Sequence, residues 1–351
     1  MIWKTSYLAV GGQNSKKNIL GAGTKQYKVS NKEFNETMKV LNFLLQERNE
    51  QEINDFLISN SIGHQIWDQI TTHDLATSFE NNFNKMDTIT FKNNLYLENV
   101  TVNPSETIQN FKNTNFIIVG CGGIGNFMSY AIQSFNPKSI VLIDGDKVER
   151  SNLNRQVLFT EKDIGQYKAD KLERGILSRN SQAAVESFNE YVSEDLINSI
   201  ISNKKSEKFF VVLSGDSEQA MNETTKACVR NEIPFMSIGY LNDISVIGPL
   251  YIPKVSACPY CYNNFSIKTD NRDTEAGQQL KVINARSEAP SSFTNNALSS
   301  SLAMSDIIQF ESGNLKKVKS INARVGIDNI SFDKYKIETS IDPNCIYCGK
   351  G

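Results

Sequence analysis

The sequence has little of what several common classes of protein need. It contains only two histidines, His64 and His73, in 351 residues, and its formal net charge is -2. A chain without a basic excess lacks the electrostatic field that holds nucleic acid. Its apolar runs are all shorter than the roughly 20 residues of a membrane-spanning helix, and the N-terminus lacks the apolar stretch of a signal peptide. We therefore expect a cytoplasmic protein that binds neither nucleic acid nor membrane.

Cysteine is scarce too, but its spacing is informative. Four of the six cysteines form two C-x-x-C pairs, Cys258/Cys261 and Cys345/Cys348. Without a secretion signal, this spacing favours a metal over disulfides. Four thiolates give Zn²⁺ a closed tetrahedral structural site, with no open position for catalysis. Four unrelated buried thiols are the alternative interpretation.

The hydrophobic pattern of residues 1–100 differs from that of the rest. Short strand-like segments and helical stretches in this part predict a small α+β, winged-helix-like module. The predicted features are strands with glycine turns at 11–12 and 21–23, helices at 31–47, 52–59 and 62–70, and an alternating, strand-like segment at 88–100.

Strands and helices alternate regularly in residues 101–351. Such alternation indicates βαβ units and a Rossmann-like domain with a mainly parallel sheet. The expected strands lie at 116–119, 139–143, 184–188, 209–213 and 235–238, and the helices between them at 126–134, 168–179, 194–202 and 219–231. A polar crossover loop is expected at about 262–290, followed by a helix at 295–310 and strands at 323–325 and 334–339.

A glycine-rich loop, with Gly120, Gly122, Gly123 and Gly125, joins the first of these strands to the first helix. Glycines let the backbone approach phosphates, and a helix N-terminus favours their negative charge. Asp144 ends the next strand, about 20 residues further on, where an acid can bind ribose hydroxyls. The pattern predicts a nucleotide site, but it fits an NAD-dependent dehydrogenase equally well. A glycine turn that binds nothing is the other alternative.

The segment that follows distinguishes between these nucleotide-binding classes. It reads DGDKVERSNLNRQ from Asp144 to Gln156, and GQYK ends at Lys168. This resembles the pattern D-x-D-x-V-x-x-S-N-L-x-R-Q, with a later G-x-x-K, of the E1-like (ubiquitin-activating or ThiF-type) adenylating family. The resemblance implies a homodimeric, ATP-dependent adenylyltransferase that uses Mg²⁺.

The resemblance also implies a role for each matching residue. Arg155, Lys168 and Asp216 become the catalytic candidates, because charge develops on the α-phosphate and on departing pyrophosphate. Asp144 would bind the ATP ribose, and Asp216 would hold Mg²⁺. The phosphates would be surrounded by Asn152, Arg155, Gln156 and Lys168. Asp146 and the four glycines would complete the site. The alternative for Arg155 and Lys168 is that they form only surface ion pairs.

A nucleophilic cysteine of the kind that many family members carry is not apparent. No cysteine lies between Cys261 and Cys345, the part of the chain that would contain it. Cys121 belongs to the glycine loop, and Cys228 lies in a predicted helix. We therefore expect an acyl-adenylate that another nucleophile consumes, without a thioester on this chain.

Residues 152–159 and 238–253 also resemble the peptide-modifying branch of the family, which includes the microcin C adenylyltransferase and the pantocin A maturation enzyme. In that branch an N-terminal module binds a short, ribosomally made precursor peptide. The resemblance implies that residues 1–100 bind peptide and residues 101–351 catalyse adenylation. The branch often shows an R-x-x-R pair that assists the partner subunit's ATP. Here only Lys92 stands in that stretch, and a lysine lacks the guanidinium fork.

Four functions each fit part of this pattern. The first is adenylation of a peptide carboxylate followed by intramolecular attack and cyclisation, either with AMP left on the product, as in the microcin type, or at glutamate side chains, as in the pantocin type. The second is activation of the C-terminus of a sulfur-carrier or ubiquitin-like protein. A dehydrogenase is disfavoured because both histidines lie in the N-terminal module. A zinc-bearing DNA-binding protein would leave Arg155, Lys168 and Asp216 without a role.

Overall fold

The chain divides near residue 105 into two units, Met1–Ser105 and Glu106–Gly351. Each unit has its own hydrophobic core. The computed structural model describes residues 1–14, 16–79, 88–202, 206–215, 217–263, 274–285 and 289–349. Within those ranges, none of the helices combines the length and apolar character that crossing a membrane requires.

The first unit combines short antiparallel strands with helices, so the predicted α+β module is confirmed. Its core is formed by side chains such as Leu20, Val40 and Ile70. The strands are β1 Ile2–Thr5, β2 Ala9–Gln13, β3 Asn18–Ala22, β4 Lys25–Val29, β5 Arg48–Asn49 and β6 Ala76–Phe79, in sheets ordered β5-β1-β6 and β2-β3-β4. The helices are α1 Asn31–Phe43, α2 Glu50–Ser59, α3 His64–Thr72 and α4 Phe91–Val100.

Two local predictions in this unit are wrong. Residues 91–100 form helix α4 rather than a strand, since Phe91 and Leu95 are buried four residues apart on one helical face. Alternating and helical apolar spacings coincide over such a short window, which made the pattern ambiguous. The glycine pair at 11–12 lies inside β2 rather than in a turn.

The second unit is built on an eight-stranded sheet, and the predicted Rossmann-like fold is confirmed. The strand order is β14-β13-β12-β11-β10-β7-β8-β9, parallel from β11 to β9 and antiparallel from β11 to β14. Its strands are β7 Thr114–Val119, β8 Ser139–Ile143, β9 Val185–Phe188, β10 Lys208–Leu213, β11 Phe235–Leu241, β12 Ile244–Tyr251, β13 Ala323–Asp328 and β14 Lys334–Glu338. The helices are α5 Pro104–Asn113, α6 Gly123–Gln133, α7 Lys168–Leu177, α8 Glu194–Ser202, α9 Glu218–Arg230, α10 Glu275–Ala285 and α11 Phe293–Glu311.

Helices cover both faces of the central strands. On one face, residues such as Ile117 and Val211 share a core with Ile197 of α8 and Cys228 of α9. On the other face, the Phe210 ring lies 5.3 Å from that of Phe310 in α11. Burial on both faces explains why these strands read as continuous apolar runs rather than alternating ones. The functional groups are therefore left at the strand ends.

A buried carboxylate joins α11 to the start of β13. Asp306 accepts hydrogen bonds from the Lys319 N–H at 2.9 Å, the Ser320 N–H at 2.8 Å and the Ser320 hydroxyl at 2.6 Å. The Ser320 carbonyl in turn accepts a hydrogen bond from the N–H of Leu250 in β12. One side chain thus fixes a helix against two strands that border the site described below.

We predict that Asp306→Ala lowers the free energy of unfolding by about 3 kcal/mol, because it leaves buried N–H groups without an acceptor. Urea denaturation would measure the loss. Ser305→Ala, at an exposed position one residue earlier in α11, is the matched control and should change stability little. Equal effects of the two changes would contradict the structural role of Asp306.

Candidate active site

A cavity of about 900 Å³ lies along the carboxyl ends of the parallel strands. It runs from Asp144 after β8, past Gly120 after β7 and Ser214 after β10, to residues of β11, β12 and β13. Open parallel sheets bind their ligands at this edge, where connections to successive helices diverge. The cavity is therefore the candidate active site.

The glycine loop forms one wall of the cavity. Gly120 has a φ of +91°, and a Cβ on Gly125 would lie only 2.0 Å from the Gly120 carbonyl oxygen. Glycine at both positions lets α6 begin directly against the strand end, with Gly122 as its N-cap. The first N–H groups of a helix are unpaired and electropositive, which suits a phosphate.

The carboxylate of Asp144 shapes this wall. Its two oxygens accept hydrogen bonds from the Cys121 N–H at 2.6 Å and the Asp146 N–H at 2.7 Å. Burial raises the pKa of Asp144 above its ordinary value, and the two N–H groups and Lys168 oppose that rise only in part. Asp144 therefore fixes the loop that it faces, besides lining the cavity.

Asp146 and Lys168 meet inside the cavity. The Lys168 ammonium lies 2.8 Å from Asp146, and the Tyr191 hydroxyl donates a hydrogen bond of 2.8 Å to the same carboxylate. Desolvation works to raise the pKa of Asp146, but these two donors leave it below the ordinary value. The lysine side chain is only 11% exposed, so its charge acts with little screening by solvent.

Arg155 and Gln156 complete the nucleotide end. Arg155 donates hydrogen bonds to the Ser151 carbonyl at 3.0 Å and the Asn154 side chain at 2.9 Å, which hold its guanidinium at the cavity. Gln156 is 2% exposed, and among the described residues its side-chain oxygen accepts no hydrogen bond. A buried acceptor of this kind costs free energy unless a ligand donates to it. The residues present therefore fit a bound nucleotide.

The structure brings most of the predicted site residues together. Those lining the cavity are Gly120, Gly122, Gly123, Asp144, Asp146, Arg155, Gln156 and Lys168. Gly125 lies behind the loop, and the Asn152 side chain accepts a hydrogen bond from the Glu149 N–H, which shapes the turn that carries Arg155. Asp216 lies outside the described residues, so its predicted Mg²⁺ role stays a prediction.

The predicted crossover loop at 262–290 falls partly outside the described residues, at 264–273 and 286–288. Its described part includes helix α10.

Several lining residues gave no signal in the sequence. Tyr191 follows β9, Asn296 lies on α11, Tyr260 stands inside the first C-x-x-C pair and Arg324 lies on β13. They come from segments far apart in the chain, and none belongs to a recognisable nucleotide motif. Only the strand order places them around one cavity.

The two C-x-x-C pairs converge on one cluster. The ligand sulfurs of Cys258, Cys261, Cys345 and Cys348 all lie within 4.8 Å of one another. Measured separations are 3.9 Å for Cys258–Cys261, 3.5 Å for Cys258–Cys345 and 3.4 Å for Cys261–Cys348. A tetrahedron with metal–sulfur bonds of ~2.3 Å has edges of ~3.8 Å. The cluster is thus compatible with the predicted Zn²⁺ site.

The other two cysteines, Cys121 and Cys228, are fully buried. Burial raises the pKa of both thiols above the ordinary value. A thiol must be a thiolate and reachable to act as a nucleophile. Neither side chain has the environment of a catalytic cysteine.

Comparison with known proteins agrees with this geometry. The sequence profile of the ThiF family matches residues 93–346, so the chain belongs to the ThiF family. The predicted E1-like, ThiF-type class of ATP-dependent adenylating enzyme is thereby confirmed.

Among solved structures, the chain is similar to Escherichia coli MccB. It is 26% identical to the microcin C7 biosynthetic enzyme MccB in complex with N-formylated MccA, with a TM-score of 0.81 and coverage of 99% of this chain and 100% of that one. MccB with ATP gives 26% identity and a TM-score of 0.79 at the same coverage. PaaA, at 17% identity and a TM-score of 0.68 over 95% of this chain and 98% of that chain, shares the fold.

Curated relatives match over a shorter stretch. The NEDD8-activating enzyme E1 catalytic subunit of Caenorhabditis elegans is 36% identical over 61 residues, which are 17% of this chain and 14% of that protein. The chain therefore matches only about a seventh of that relative's length.

We predict that freshly purified protein contains one zinc ion per chain, bound by the four clustered sulfurs at ~2.3 Å. Cys345→Ser should lower both zinc content and thermal stability, because one ligand of a closed site is lost. Elemental analysis and thermal unfolding would measure the two effects. Cys228→Ala, in the same core but outside the cluster, is the control and should retain zinc. Wild-type protein without zinc would refute the metal assignment.

Proposed function

We propose that this protein uses ATP to adenylate a carboxylate in a ribosomally made precursor peptide, as a step in peptide antibiotic (RiPP) biosynthesis. The observation that carries the proposal is the similarity to MccB over both chains' full lengths, including complexes with ATP and with MccA. A similarity confined to the nucleotide-binding domain would support adenylation but would not favour a peptide substrate. The product would be microcin C-like or pantocin A-like.

The cavity suits the first chemical step. A carboxylate oxygen attacks the α-phosphate, the bond to the β-phosphate breaks, and pyrophosphate leaves with the electron pair. Arg155 and Lys168 line the cavity, and we propose that both stabilise the negative charge that develops. Asp216 holding Mg²⁺ remains part of the proposal on the basis of the sequence.

The second step consumes the acyl-adenylate without a thioester. Cys121 and Cys228 are buried, and the remaining four cysteines form the cluster proposed to bind zinc. We therefore propose that a nitrogen or carbon nucleophile of the same peptide attacks the activated carbonyl, closes a ring and releases AMP. A microcin-type enzyme would then use a second ATP, whereas a pantocin-type enzyme would leave no AMP on the product.

Residues 1–100 are proposed as the peptide-binding module, and 101–351 as the adenylation domain. The first unit presents short antiparallel strands, a type of element to which an extended peptide can add another strand. The homodimer is proposed from the family resemblance alone, and no role across the dimer is assigned to Lys92. Lys92 lies in α4, where its ammonium is 5.3 Å from the Phe91 ring.

The alternative is activation of the C-terminus of a sulfur-carrier or ubiquitin-like protein. Its support is the similarity to the NEDD8-activating subunit, which extends over 61 residues. Pyrophosphate exchange that is driven by a small folded protein, and not by peptides, would favour this alternative.

We predict that the protein, with Mg²⁺ and its peptide, exchanges labelled pyrophosphate into ATP, because acyl-adenylate formation is reversible. Arg155→Ala should lower the exchange rate by about 10²–10³-fold through loss of a preorganised cation. Arg150→Ala is the matched control. Arg150 lies five residues before Arg155 in the same segment and forms an exposed ion pair with Glu161.

In the same assay, Cys121→Ala and Cys228→Ala should retain exchange within about tenfold. A thioester trapped on either cysteine would contradict the mechanism. Nicotinamide reduction without release of pyrophosphate would favour the dehydrogenase instead.

We also predict that deleting residues 1–100 abolishes peptide binding while ATP affinity changes little, because the cavity is lined by residues of the second unit. Equilibrium dialysis with each ligand would measure the two affinities. Unchanged peptide affinity after the deletion would rule out the assigned role.

A further inference from the structure

A second cavity, of about 570 Å³, lies at the amino ends of the parallel strands, at the edge of the sheet opposite the candidate active site. Its lining includes Thr114 and Lys208, the first residues of β7 and β10, and Pro234, which directly precedes β11. It shares no lining residue with the active site, and all of its lining residues belong to the second unit. Its volume is in the range of small-molecule sites. We call it the amino-edge cavity.

Four helices reach the amino-edge cavity with their C-terminal ends. Helices that connect parallel strands run back against them, so their last turns collect at this edge of the sheet. The lining residues that belong to these ends are Asn110 of α5, Ile201 of α8, Asn231 at the C-cap of α9, and Phe310 and Glu311 of α11. The carbonyl groups at a helix C-terminus carry partial negative charge and favour a cation. The cavity is thus the electrostatic opposite of the active site, where the N-terminus of α6 favours an anion.

Glu311 is the buried acid of this cavity. The residue is 4% exposed, and its Oε1 accepts no hydrogen bond among the described residues. Its Oε2 accepts one long hydrogen bond of 3.4 Å, from the Thr114 hydroxyl. The Lys208 ammonium, the cation that lines the cavity, donates to the Asn110 side chain at 3.2 Å. A buried carboxyl group with an unused acceptor costs free energy unless a donor reaches it.

The other two acids that line the cavity are already compensated. Glu207 forms an ion pair of 2.7 Å with Lys138, and Glu232 forms one of 2.5 Å with Lys254. Within the described part of the chain, Glu311 is therefore the lining acid whose carboxylate has no cation bonded to it. An incoming positive charge has one defined place to bind.

The remaining wall of the cavity is apolar, which narrows the kind of cation. The apolar side chains that line it are Ile201, Phe209, Ile233, Pro234 and Phe310. A Ca²⁺ ion takes six to eight oxygen ligands, and one uncompensated carboxylate beside such a wall does not provide them. Among the described residues, a group of metal-ligating side chains is found at the four cysteines and not here. An organic ammonium ion instead combines charged N–H donors with an apolar body.

We propose that the amino-edge cavity binds a small organic ammonium ion, whose N–H groups donate to Glu311 and whose apolar part packs against Ile201, Ile233 and Phe310. Burial raises the pKa of Glu311 to about 7, and the Thr114 hydroxyl and the charge of Lys208 oppose that rise only in part. A bound cation favours the charged carboxylate and so offsets the cost of its burial. The site is separate from the adenylation chemistry and does not depend on the proposed function.

The test titrates the full-length protein, without ATP or peptide, with benzylammonium and with benzyl alcohol as its uncharged counterpart. Ligand-observed NMR would measure both affinities. Benzylammonium should half-saturate the protein at about 1 mM or below, because the apolar wall and the carboxylate act together. It should bind at least about tenfold more tightly than benzyl alcohol, since a hydrogen bond to a charged group is stronger than a neutral one.

Glu311→Gln keeps the shape of the side chain and removes its charge. The two probes should then bind with affinities that agree within about twofold. The variant should unfold thermally at the wild-type temperature or above, because a buried carboxyl group is replaced by a neutral amide. Glu338→Gln, at an exposed position on β14, is the matched control and should keep the preference for benzylammonium.

Ile201→Trp tests the location of the site independently of Glu311. Ile201 is half-buried at the end of α8, and the larger indole would occupy the space of the ligand. Both probes should bind at least about tenfold more weakly to this variant. Wild-type protein that is not half-saturated by about 10 mM benzylammonium would overturn the proposal. A preference for benzylammonium that survives in Glu311→Gln, or binding that Ile201→Trp leaves unchanged, would overturn it as well.

Discussion

The close approach of α6 to the end of β7 is the constraint on which the rest of the site depends. With a Cβ on Gly125 only 2.0 Å from the Gly120 carbonyl, any larger residue would push the helix away from the strand. The N–H groups of the helix would then no longer face the cavity. Asp144 stabilises the same loop from the neighbouring strand through the Cys121 N–H. Asp144, which is expected to bind ribose, therefore also holds the glycine loop in place.

The cysteine cluster is coupled to the cavity through the residues between its ligands. Pro259 and Tyr260, inside the first C-x-x-C pair, line the cavity wall. The Tyr260 ring lies 4.7 Å from the ring of Tyr347, which stands inside the second C-x-x-C pair. The Tyr347 hydroxyl donates a hydrogen bond to the Asn222 side chain of α9. A closed metal site would thus fix a part of the active-site wall without joining the chemistry.

The sequence predicted the fold of the second unit closely, because buried parallel strands and amphipathic helices carry strong periodic signals. Strand β8 and helix α8 have the predicted bounds. Local motifs likewise predicted the glycine loop and the cluster of four cysteines. Helix α4 was mistaken for a strand because its short apolar pattern fits both periods. Tyr191 and Arg324 escaped prediction because each reaches the cavity only through the strand order, which no local pattern encodes.

The antiparallel strands line a part of the cavity that lies beyond the loops after β7, β8 and β10. Parallel strands β7, β8 and β10 place loop residues, including the glycine loop, at one edge of the sheet. From β11 onward the chain reverses direction, so residues within strands, rather than loops after them, face the same cavity. Side chains on strands are held more rigidly than those on loops. The residues that line this part of the cavity are thus held in place by the sheet itself.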